Sequence, residues 1–352
     1  MPGNGSFSRR SQMSLNVKAD GYIITEDGPV RGHAIHENGK TIFSEGPLDD
    51  VPDVRGVIVP KLIDTHTHCA DAGVKVVPGM SLEELVAPPD GLKHRYLRSA
   101  SRERLIEDMG NFEKNAENNG IFTFIDFREG GVEGSRMARE ACKNALILGR
   151  PISAEFDANE VADILLIADG IALSSISDIS PRYAEKVADA AHKAGKIFAI
   201  HCSERVREDF DEILSLNPAF VVHMCEATDS DLKKCTDSDI PISVCARSNR
   251  FFGKTPPLAR MKNLGCTVAM GTDNAMLCTP DLRPEACLFS ELLGKDSDRW
   301  VWDSLIAGGQ KLLYHACGIG SPEHMDKGFA VLPMSGDDPR SSWYSDGRVF
   351  SI

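Results

Sequence analysis

From Val57 onward the chain alternates short apolar runs with helix-like stretches, and this rhythm limits its fold more than any other feature. Apolar runs rich in aliphatic and β-branched residues stand at 57–68, 121–127, 145–148, 170–174, 196–200, 219–222, 240–245 and 266–270. Uninterrupted apolar runs of this kind suit strands buried on both faces, as in a parallel sheet. Helical stretches fall between them at 102–118, 135–144, 160–168 and 183–194, and Gly195 closes the last in the position of a C-terminal cap. Eight strands with helices between them point to an α/β fold, a (β/α)8 TIM-like barrel over 57–326.

The two ends of the chain read differently. Residues 15–56 are β-formers broken by turn signals, among them Asn38-Gly39 between two strand-like runs, a strong hairpin signal. Residues 327–352 return to β-like runs at 329–332 and 348–352. Too short to stand alone, the two segments are expected to pair as one discontinuous domain, a small flanking β-sandwich formed by both termini. Residues 1–14 lack the apolar centre of a signal peptide and read as a disordered leader, with Met13 as an alternative start.

Composition removes several function classes. With 42% hydrophobic and 26% charged residues over 352 positions, the chain can bury a large core and is not a disordered segment. A formal net charge of −13 argues against a nucleic-acid partner, which calls for a basic surface. No apolar run approaches the roughly 20 residues that span a bilayer, so no membrane partner is expected. The ten cysteines are scattered singly, and Cys245 and Cys266 sit in apolar runs as buried thiols. That usage fits a reducing, cytoplasmic setting.

The polar residues at the strand ends carry the chemistry. Functional groups of such barrels gather at the C-terminal ends of the strands. His66 and His68 end the first, and their i, i+2 spacing sends both imidazoles to one side. The fifth runs into His201 and Glu204, the sixth ends in His223, and the eighth in Asp273-Asn274. Taken singly, His201 reads equally well as a hydrogen-bonded core residue, Asp273 as a helix cap and Glu204 as a solvated loop residue. Their convergence on one end of the barrel favours a shared site. His33, His36, His94, His192, His315 and His324 form no such pattern and read as surface residues.

These motifs resemble the amidohydrolase superfamily: Ile63-Asp64-Thr65-His66-Thr67-His68, then His201 with Glu204, His223, and Gly271-Thr272-Asp273-Asn274. Within it the chain is most similar to the cytosine deaminase-like and triazine chlorohydrolase-like (ATZ/TRZ) branch, whose region before the last metal ligand is like Ser248–Gly253 with Pro256-Pro257 here. The likeness runs from about residue 20 to 275 and weakens afterwards. It implies one divalent metal held by His66, His68, His201 and Asp273. The fourth strand end has no lysine of the kind that bridges two metals in other members. Three histidines and a carboxylate suit zinc best, with ferrous iron drawing on the same ligand chemistry.

On this reading the metal lowers the pKa of its bound water toward ~7, and the resulting hydroxide attacks an sp² carbon. Asp273 takes the water proton, Glu204 shuttles protons to a ring nitrogen and the leaving group, and His223 stabilises the tetrahedral intermediate. Glu204 favours deamination of a nucleobase-like heterocycle with release of ammonia. Hydrolysis of a cyclic amide or another leaving group by the same machinery is the alternative, and a catalytically silent metal-binding protein is a third. Arg128, Glu129 and Asn274 are candidates for substrate contact, with a surface salt bridge as the other reading of the first two. Trp300-Val301-Trp302 fits either core or the interface of a homo-oligomer.

Overall fold

The computed structural model describes residues 16–77, 79–86, 90–317 and 328–352. The expected leader, residues 1–14, lies outside the described residues, as do residue 327 and His324.

Both chain ends build one six-stranded sheet. Its strands are β1 (Val17–Thr25), β2 (Gly28–Glu37), β3 (Lys40–Glu45) and β4 (Val54–Pro60) from the N-terminal side. The C-terminal side adds two short strands at 329–332 and 350–351. Asn38 and Gly39 join β2 to β3 with φ values of 53° and 75°, the left-handed pair that a two-residue hairpin turn requires. Val17, Ala19, Ile23, Ala34, Ile58, Phe329 and Val331 form the apolar core of this sheet.

The run 57–68 is two strands, not one. Residues 57–60 pair in the flanking sheet, parallel to β1 on one side and antiparallel to 329–332 on the other. Pro60, with no amide hydrogen, stands at the switch, and after Lys61 the chain enters the barrel.

The barrel strands follow as β5 (Leu62–His68), β6 (Ile121–Arg128), β7 (Ala145–Gly149), β8 (Gly170–Leu173), β9 (Ile197–Cys202), β10 (Phe220–His223), β11 (Ile242–Val244), β12 (Val268–Met270) and β13 (Asp273–Asn274). The two terminal strands of the flanking sheet are then β14 (Phe329–Leu332) and β15 (Phe350–Ser351), giving the order β15-β14-β4-β1-β2-β3. All barrel pairings are parallel. β12 and β13 are two halves of the eighth strand: β12 pairs with β11, and β13 pairs with β5 to close the ring.

Side chains complete that closing seam. Asp64 accepts hydrogen bonds from the Thr272 amide at 3.0 Å and the Thr272 hydroxyl at 2.6 Å, while Thr65 donates to the Met270 carbonyl at 2.9 Å. Burial pushes the Asp64 carboxyl up to about 7 against the pull of these bonds. Gly271 permits the close approach, since a Cβ there would meet His66 Cβ at 2.9 Å.

Val301 and Trp302 are fully buried, with the Trp302 ring 4.7 Å from that of Trp343, so this pair belongs to the core. Cys245 and Cys266 are buried thiols. Among the described residues no helix is long and apolar enough to cross a membrane.

Candidate active site

The register of the barrel brings the strand-end residues together. His66 and His68 end β5, with ring centroids 4.9 Å apart, and His66 lies 4.9 Å from His201 and 5.6 Å from His223. Asp273 pairs with Thr67 across the seam, which sets its carboxylate beside both β5 imidazoles. His223 and Asp273 hold left-handed backbone, φ 77° and 65°, a costly conformation for residues with a Cβ. Strain of this kind gathers where the surrounding fold fixes a functional side chain.

Hydrogen bonds assign a role to each ring nitrogen. His201 Nδ1 donates to the Leu173 carbonyl at 2.9 Å, and His68 Nδ1 lies 3.0 Å from the Phe127 carbonyl and 2.9 Å from Glu129 Oε1. With the proton on Nδ1, Nε2 of each ring offers a lone pair. His66 is fully buried, and neither of its ring nitrogens has a hydrogen-bond partner. Burial also pulls the His66 imidazole down to about 3, so the ring is neutral at pH 7 and able to ligate. A buried, unpartnered, neutral imidazole is costly unless something binds it.

Asp273 Oδ2 accepts from Ser248 Oγ at 2.5 Å, and Oδ1 accepts from Asn274 Nδ2 at 2.9 Å. Oδ1 also lies 3.4 Å from His66 Nε2 and 3.6 Å from His68 Nε2. Ligand atoms of His66, His68 and His201 lie within 4.8 Å of one another, and so do those of His66, His223 and Asp273. The donor set fits a divalent metal. His223 differs from the other rings. Asn249 Nδ2 donates to its Nδ1 at 3.1 Å, which leaves the proton on Nε2, 3.7 Å from Glu204 Oε1. In that tautomer Nε2 is a donor, while the two groups together make His66, His68, His201, His223 and Asp273 the residues from which a metal site could be drawn.

Above this cluster opens a cavity of about 450 Å³, walled in part by Lys93, His94, Glu129, Arg150, Glu204 and Asn274. Glu204 reaches it with its side chain 21% exposed. Burial first, then the negative charge of Asp273, pushes the Glu204 carboxyl up to about 8, so it carries a proton at neutral pH.

The structure redistributes the three candidate substrate contacts. Glu129 and Asn274 line the cavity. Arg128 does not: it is 2% exposed beneath the wall, its guanidinium 2.5 Å from Glu129 Oε2 and 3.4 Å from Asp126 Oδ2, so its ion pairs are buried ones rather than surface ones. Three residues carry no signal in the sequence. Lys93 is buried, with Nζ 2.5 Å from Glu129 Oε1 and 3.1 Å from Asn274 Oδ1. Arg150 and His94 share the wall with it. His94 is therefore not a surface residue, and neither is His36, buried on β2 with Nδ1 2.9 Å from Thr41 Oγ1. Ser248 and Asn249 lie in the segment that carries the family resemblance, where nothing local disclosed their hold on Asp273 and His223.

Residues 57–297 match the Amidohydrolase family profile. The chain belongs to the amidohydrolase family. Membership makes it a hydrolase of non-peptide carbon–nitrogen bonds. A Methanothermobacter thermautotrophicus relative, provisionally named an aminohydrolase, is 32% identical over 300 residues, covering 75% of this chain and 78% of its own. The fold is similar to that of atrazine chlorohydrolase from Arthrobacter aurescens complexed with zinc, with TM-score 0.70, 13% identity, and coverage of 93% of this chain and 90% of that one. It is also similar to guanine deaminase from C. acetobutylicum, with TM-score 0.65, 13% identity, and coverage of 90% and 91%.

Proposed function

We propose that this amidohydrolase deaminates a small nucleobase-like heterocycle. The observation that carries the reading is Glu204, whose carboxyl stands in the cavity 3.7 Å from the Nε2 of His223 and beside the metal cluster. Metal retention alone calls for neither residue. Three imidazole nitrogens and one carboxylate oxygen suit zinc, and ferrous iron takes the same donors. The ion, when bound, would acidify a water toward ~7 and so make a nucleophile available at neutral pH.

The side chains do the proton work. Asp273, held through Oδ2 by Ser248, takes the proton of the attacking water. Glu204 gives its proton to the ring nitrogen next to the attacked carbon, and the electron pair of the C=N bond moves onto that nitrogen. His223 donates from Nε2 to the developing charge on the substrate, and Asn249 keeps the ring in that tautomer. The exocyclic C–N bond then breaks: Asp273 passes its proton to the departing amine, which leaves as ammonia, while the new hydroxyl gives its proton back to Glu204 and becomes the carbonyl.

Lys93 and Glu129 position this machinery rather than contact the reacting atoms. Glu129 joins Lys93 to His68, and Asn274 joins Lys93 to Asp273, so a single buried ammonium steadies two ligands. Such partners hold the ligand rings at a fixed angle.

The test is ammonia release from a panel of heterocyclic amines by zinc-loaded enzyme, with Glu204→Gln as control. Turnover that is lost in the variant, with its metal retained, supports the reading. Ring opening of cyclic amides without ammonia would replace it with the cyclic-amide reading. Metal bound without turnover of any amine or cyclic amide would leave a metal-binding protein.

A further inference from the structure

The charged groups of the cavity wall do not balance. Glu129 is matched by Lys93 and Arg128, and Asp178 lies 3.4 Å from Arg205. Glu204 faces His223, and Asp273 faces the imidazoles. Arg150 is the cation left over. Among the described residues no carboxylate lies within ion-pair distance of it, and its guanidinium donates only to Ser174 Oγ, at 3.0 Å.

This arginine is not a loose surface side chain. Its amide donates to the Arg128 carbonyl at 2.8 Å, its carbonyl accepts from the Gly131 amide at 3.1 Å, and Pro151 follows it. Both backbone groups are therefore pinned at the C-terminal end of β7. Ser174 is buried at the end of β8, and its oxygen accepts from Arg150, so its own hydroxyl hydrogen is left to donate. A half-buried guanidinium beside a buried hydroxyl donor has the fork geometry that matches a carboxylate or a phosphate. The neighbouring His94 adds no competing charge, since burial and then the positive charges of Lys93 and Arg150 draw it down to about 4.

We infer that Arg150 and Ser174 form an anion subsite in the cavity wall, and that the substrate is an N-heterocycle bearing a carboxylate or phosphate-like substituent. A cavity of about 450 Å³ has room for a ring over the metal cluster and a short charged arm reaching the wall. The inference takes the ring from the proposed function, while the anion follows from Arg150 itself.

The experiment pairs each ring with three arms. Guanine substituted at N9 and cytosine substituted at N1 would each carry acetate, acetamide or methylphosphonate. Turnover is read from ring absorbance, and binding from the ligand-induced rise in melting temperature, for zinc-loaded wild type, Arg150→Gln and Arg150→Lys. The expected result is a preference for the anionic arms over the acetamide of roughly 30-fold or more in kcat/KM, expressed mainly in KM. Arg150→Gln should lose that preference and Arg150→Lys keep part of it; acetate against methylphosphonate tells which anion the subsite takes. Turnover with equal use of the acetamide, or an anion preference that survives in Arg150→Gln, overturns the subsite while the deaminase reading stands. Anion-dependent, Arg150-dependent stabilisation without turnover of any ring upholds the subsite and defeats the deaminase reading. Neither turnover nor anion-dependent stabilisation defeats both.

Discussion

His36 and His66 are both buried histidines on β-strands, one in the flanking sheet and one at the barrel mouth, and they have opposite chemistry. His36 is 8% exposed and spends Nδ1 on the Thr41 hydroxyl across the hairpin. His66 is fully buried with neither nitrogen hydrogen-bonded, its Nε2 3.4 Å from the Asp273 carboxylate of the same cluster. The flanking sheet closes its polar groups on itself, while the mouth leaves a converging set open. Burial therefore does not mark a functional histidine. A buried nitrogen without an internal partner does, because the fold bears its desolvation only where a ligand recovers it.

The comparison breaks most sharply at His66 itself. His66→Ala should strip the bound metal and lower turnover by at least on the order of 10³-fold, as read by metal analysis and initial rates. Glu204→Gln comes next: kcat should fall by about 10²- to 10⁴-fold with metal content unchanged, which separates proton transfer from metal holding. Because the Glu204 carboxyl is held up to about 8, wild-type kcat/KM should decline as the pH rises past that point and the donor is lost. That alkaline limb should vanish in the variant.

Smaller effects sharpen the contrast. Lys93→Met and Glu129→Gln each loosen a group behind the ligands, and metal affinity measured against a competing chelator should drop by roughly 10- to 100-fold. His36→Ala gives the smallest functional effect, with metal content and turnover as in wild type. Its cost should appear in urea unfolding alone, at about 1–3 kcal/mol, from a lost hydrogen bond and an unpartnered Thr41 hydroxyl.

Much of this architecture was legible because it rests on local pattern. Each of the eight strand-like runs supplied a barrel strand, the first only through its second half, and the residues at their ends came together, since a parallel barrel places strand ends on one face whatever the loops do. The split at Pro60 was hidden because an apolar run looks the same whichever sheet it pairs in. Arg128 and Glu129 read as a pair, yet side chains alternate at a strand end, and only Glu129 faces the cavity. Lys93 and Arg150 were invisible for a different reason. Their partners lie between 22 and 181 positions away, and no local spacing encodes such contacts.

The central claim is that the four mouth residues hold one divalent metal and that this is what His66 is open for. The direct measurement is metal stoichiometry after zinc loading and exhaustive dialysis, on wild type, His66→Ala and His36→Ala in parallel. One zinc per chain is expected in wild type and in His36→Ala, with less than a tenth of that in His66→Ala. A wild-type protein that retains no metal, or a His66→Ala variant that still holds one ion per chain, would contradict the account.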